Sequence, residues 1–109
     1  MAITAVERVI HDFPEIVIAF QCSTIDAGQD VNLTHTQPKL KPYDVRFVVK
    51  TRPTDGSDVR MEWDAANDSA TSKTIRVRFD TNGGGSLTGA VVDVFCHFHG
   101  AAAGGISAA

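Results

Sequence analysis

The chain has 109 residues, enough for one hydrophobic core, and its 43% hydrophobic and 21% charged content is ordinary for a globular domain. A formal net charge of -3 with dispersed basic residues gives no electrostatic footprint for nucleic acid or an anionic membrane, so neither is expected as a partner. No apolar run reaches the roughly 18 residues of a membrane span, and Glu7, Arg8, His11 and Asp12 interrupt the place where a signal peptide needs an apolar core.

Residues 1–14 read in two ways. Val6, Val9, Ile10 and Phe13 follow helical spacing, and Pro14 would stop such a helix. The β-branched Ile3, Thr4, Val6, Val9 and Ile10 instead favour a first strand or an extended arm, which is the preferred reading. From Glu15 to Cys22 the even positions Ile16, Ile18, Phe20 and Cys22 make one apolar face. Residues 29–35 give a weaker strand through Val31 and Leu33, and Pro38 and Pro42 bracket an extended connection. Tyr43, Val45, Phe47 and Val49 form the inward set of the next strand. The run Pro53-Thr-Asp-Gly56 is a hairpin signal leading to Val59, Met61 and Trp63. A polar connector over residues 64–72 precedes Ile75, Val77 and Phe79, which alternate with Arg76, Arg78 and Asp80. After the flexible Asn82-Gly-Gly-Gly85, the final strand turns Val92, Val94, Cys96 and Phe98 inward. From Gly100 to Ala109 the residues are Gly, Ala and Ser around a single large side chain, Ile106. Such a tail has too little apolar surface to offset its ordering entropy and is expected to be held by a neighbouring subunit. Short strands separated by turn signals predict an all-β, single-domain antiparallel β-sandwich or small barrel, with an extended N-terminal arm and a C-terminal tail. Residues 15–99 would form its β core.

Candidate chemistry is sparse. His97 and His99 share a strand face with Asp93, a spacing that lets two imidazoles approach one ion; Asp93, His35 or His11 would supply the third ligand. The His-x-His spacing resembles that of cupins, but the downstream Glu and His of their pattern have no counterpart here. The preferred reading is an exposed or subunit-facing strand, with no metal and no cofactor. Cys96 and His97 point to opposite faces and cannot form a nucleophile–base pair, and the carboxylates sit at ordinary surface positions, so no enzyme is expected. Cys22 and Cys96 read as two apolar thiols, with a bond between them as the alternative. Phe95, Val48, Val17 and Ala19 lie on the outer faces of their strands, which marks a second layer or a partner contact.

In its order of elements the chain resembles the small head-decoration, or cement, proteins of tailed bacteriophages. The resemblance rests on a short N-terminal arm, the strand around residues 43–49 after a long polar excursion, Met61-Glu-Trp-Asp-Ala65, Thr74-Ile-Arg-Val-Arg-Phe79, a Gly-rich turn, and Gly89-Ala-Val-Val-Asp-Val94. It implies a virion structural protein, made in the host cytoplasm and located on the capsid surface, that forms a homotrimer or other homo-oligomer and clamps the major capsid protein of the phage head. By that resemblance residues 1–14 and 100–109 carry capsid or subunit contacts, and Ile3, Val6, Phe95, His97, His99 and Ile106 are the candidate contact residues. The rival reading is a small carbohydrate- or peptide-binding β module of a phage tail or fibre, built on Trp63, Tyr43 or Phe95. A metal protein of cupin-like form using His97 and His99 is the third.

Overall fold

A computed structural model describes residues 4–11, 15–36 and 41–99. Seven strands make up the described chain: β1 (Thr4–His11), β2 (Glu15–Ser23), β3 (Gln29–Thr34), β4 (Asp44–Thr51), β5 (Val59–Trp63), β6 (Thr74–Thr81) and β7 (Val91–His99). They form two antiparallel sheets, one of four strands in the order β1-β2-β7-β4 and one of three in the order β3-β6-β5. The sheets face each other as a sandwich and do not close into a barrel. Of the two architectures the periodicity allowed, the sandwich is realised. No helix among the described residues is long and apolar enough to cross a membrane.

The core lies where the two alternations meet. Ile16, Ile18, Phe20 and Cys22 of β2 join Val92, Val94, Cys96 and Phe98 of β7 on the inner face of the larger sheet. Val31, Leu33, Ile75, Val77 and Phe79 oppose them from β3 and β6. Burying each of these large side chains stabilises the fold by about 1.5–3 kcal/mol. Ile25 and Leu87 plug one end from loops, while buried His35 lies against Phe98 near the other, ring centroids 5.0 Å apart. Both cysteines are free thiols within this core. Burial pushes the Cys22 thiol from 9.0 up to about 12, with the Asp93 charge adding to the effect, and burial drives Cys96 upward as well.

Of the readings open for the N-terminal stretch, the first strand is realised over residues 4–11: β1 pairs with β2, apart from a register shift between Val9 and His11. Its inner positions opposite Cys22 and Phe20 are Ala5 and Glu7, so Val6 faces outward and is 60% exposed. Tyr43 was placed with the inward set of β4, yet it precedes that strand and is 47% exposed. The three-stranded sheet does not extend over it.

Two polar devices order the loops. Asp68 follows a 3-10 turn (Ala65–Asn67) and accepts from Trp63 Nε1 and from the Arg76 amide, both at 2.8 Å. At the opposite end Asp55 accepts from the amides of Ser57 and Ser86, each at 2.9 Å, tying the β4–β5 connection to the β6–β7 loop. That connection crosses from one sheet to the other and is not the hairpin expected from Pro53-Thr-Asp-Gly56. The Thr54 amide adds a bond to the Thr88 carbonyl at 2.9 Å. The Ser57 hydroxyl foremost, then the Ser57 and Ser86 amides, hold the Asp55 carboxyl below the usual range.

Candidate functional site

The outer faces of the two sheets differ in kind. On the three-stranded sheet the outward residues are Asp30, Asn32, Arg60, Glu62, Arg76, Arg78 and Asp80, cross-linked by polar pairs. Arg76 Nε donates to Asn32 Oδ1 at 2.7 Å, and Arg78 meets Asp30 at 3.5 Å. That face is a solvated one.

The four-stranded sheet carries all of the exposed large hydrophobic residues in the described chain: Val6, Ile10, Tyr43 and Val48. Register sets its outward rows. Val6, Gln21, Asp93 and Val48 form one row, and Arg8, Ala19, Phe95 and Arg46 form the next. A third row runs through Val17, His97 and Asp44. Phe95 is half-buried and Ala19 is buried beside it, so a raised ring stands next to a depression. A shallow groove of about 140 Å³, lined by Val6, Glu7, Arg8, Ala19 and Gln21, continues that depression toward β1.

Three charge pairs surround this apolar centre. Arg46 Nε donates to Asp44 at 2.6 Å, Lys50 Nζ lies 4.0 Å from the buried Asp93 carboxylate, and His97 Nδ1 lies 3.7 Å from Glu15. The Tyr43 ring stands against His97 with centroids 6.1 Å apart.

Of the residues singled out from sequence, Val6, Asp93, Phe95 and His97 come together on this one face. Ile3 and Ile106 lie outside the described residues, as does the side chain of His99. Asp93 and His97 do not converge: they are four positions apart on one strand, about 13 Å, and each faces a different charged neighbour. His35 sits on the core side against Phe98, away from His97. Among the described residues, no three metal-ligating side chains are grouped. A larger groove of about 360 Å³ between β4 and β5 is lined by Val49, Arg52, Pro53, Ser57, Asp58 and Val59. Its charged groups, Arg52 and Asp58, pair with each other at 3.3 Å.

Sequence reasoning missed the exposure of Tyr43 and the arginines at the two edges of the face, Arg8 and Arg46. The nearby Pro42 was the available sign that Tyr43 stands at a strand boundary, outside the regular alternation. Comparison with protein families, curated proteins and solved structures finds no match to this chain.

Proposed function

We propose that this chain is a virion structural protein, a capsid decoration protein that self-associates and stabilises a phage head by non-covalent clamping. The observation that carries the reading is the contrast between the two sheet faces. One presents only polar and charged side chains, whereas the other sets Val6, Val17, Phe95 and Val48 outward among its charged ones, with Ala19 buried beside Phe95. Such a surface marks contact with another protein, and the order of elements resembles phage cement proteins. In this reading the outer face joins subunits, and residues 1–14 and 100–109 make capsid or subunit contacts. Clamping adds interface that separates only when adjacent shell subunits move apart. The test is co-sedimentation with undecorated heads of the cognate phage. The intact chain is expected to pellet with heads, and a variant lacking residues 100–109 to bind more weakly while remaining folded. Equal binding by the truncated chain would remove the tail from the account.

The exposed Tyr43 ring beside His97 and Glu15 favours a second reading, a carbohydrate- or peptide-binding module of a tail or fibre. Its Trp63 variant has less support, because that indole is half-buried and bonded to Asp68. Saccharide-dependent quenching of Tyr43 emission, lost in Tyr43→Ala, would favour this module; an unchanged signal favours the decoration protein.

A further inference from the structure

We infer that the apolar face of the four-stranded sheet is a two-fold interface whose occupant is a second copy of this chain, stacked so that β7 of each copy lies over β2 of the other. This inference deepens the self-association proposed above and rests on it. In a two-fold contact any patch must complement itself: if one residue meets another across the axis, the second must also meet the first. The outward rows satisfy that condition for an axis parallel to the strands and midway between β2 and β7.

Ala19 and Phe95 are neighbours in one row, the first buried and the second raised. The axis sets each Phe95 over the partner's Ala19, where the depression continues into the groove between β1 and β2. A ring inserted there fills space that the single chain leaves open. In the adjoining row Val6 and Val48 stand at opposite edges, on β1 and β4, and are 60% and 54% exposed. The same axis sets Val6 against the partner's Val48 and buries both pairs.

One polar pair follows the same rule. Gln21 comes over the partner's Asp93, where an amide N–H meets a carboxylate. Arg8 lies one row from the partner's Asp44, within reach of a guanidinium stem. The face holds three bases, Arg8, Arg46 and Lys50, and three acids, Glu15, Asp44 and Asp93, so two faces meet without net charge; the axis sets Arg8 over the partner's Arg46, with the Asp44 that Arg46 bonds one row away. Strands about 4.8 Å apart and up to nine residues long give a face of roughly 500 Å², so a dimer buries on the order of 1,000 Å², near the lower bound for specific association.

Crosslinking tests the register. Val6 and Val48 of one chain are three strand spacings apart, about 14 Å, too far for a disulfide within the chain. The native thiols are buried and do not compete. Val6→Cys and Val48→Cys are prepared separately, mixed and mildly oxidised. The mixed crosslink is expected to outnumber either self-crosslink by about tenfold. Equal amounts of the three, or no crosslink, would overturn the arrangement. In sedimentation equilibrium, Phe95→Lys is expected to raise the dimer dissociation constant about 30-fold or more, with Trp63 emission unchanged as the control for folding. An unchanged constant would equally overturn it. A chain that stays monomeric yet pellets with phage heads removes the dimer and leaves the decoration reading standing. A chain that does neither removes both.

Discussion

Asp68 shows how a single carboxylate organises a loop. Both oxygens are used, one on the Trp63 indole and one on the Arg76 amide, so the polar connector closes onto β6. Asp68→Ala leaves two donors without this acceptor and is expected to destabilise the domain by about 2–4 kcal/mol, read as a lower urea midpoint. Gly89 has φ of +81°, and a Cβ there would stand 2.7 Å from Thr54 Cγ2. Gly89→Ala combines a strained backbone with that clash and should cost about 1–3 kcal/mol in the same assay. The thiols give a pH signature. Cys22 has a folded pKa raised to about 12 from 9.0, so its contribution to stability is complete below pH 9 and is lost as pH rises toward 12. Cys96 is shifted in the same direction. Cys22→Ala should therefore flatten the alkaline fall in stability, and native protein at pH 8 should react with a thiol reagent only as fast as it opens.

Elements were legible from sequence where alternation has a buried face to report. In β6, Ile75, Val77 and Phe79 are wholly buried and the intervening residues are not, so periodicity alone defines the strand. β1 lacks that contrast. Its inner positions include Ala5 and Glu7, its large Val6 faces out, and the irregularity near Ile10 breaks the period. The remaining apolar residues then mimic helical spacing. Glu7 belongs inside because its carboxylate clasps Thr36, accepting from the amide and the hydroxyl at 2.9 Å each. An inward charge on an edge strand also discourages unwanted pairing. Glu7→Ala is expected to raise amide exchange in β1 at least tenfold while leaving β6 and β7 protected, because the bond joins only that edge to the chain after β3. The outer face was legible in part: Phe95, Val48, Val17 and Ala19 stood out by parity. Tyr43 did not, since parity cannot tell where the opposing sheet stops. Nor could sequence give the rows of the face, because β7 pairs with β2 and β4 across long separations.

At the scale of the whole molecule, the two outer faces assign opposite roles to solvent. The three-stranded sheet presents only polar and charged side chains, and the four-stranded sheet keeps a central apolar patch with charge pairs around it. Substitution separates the two kinds of apolar residue. Phe79→Ala removes a wholly buried ring and should cost about 3–5 kcal/mol of folding stability, whereas Phe95→Ala should change monomer stability by less than about 1 kcal/mol and act on association. The most direct measurement is the mass of the purified protein by light scattering across a concentration series, alongside Phe95→Lys. The account predicts twice the chain mass of 11.7 kDa for the intact protein and the single-chain mass for the variant. An intact protein that remains at the single-chain mass, or a variant that associates as the intact protein does, would contradict it.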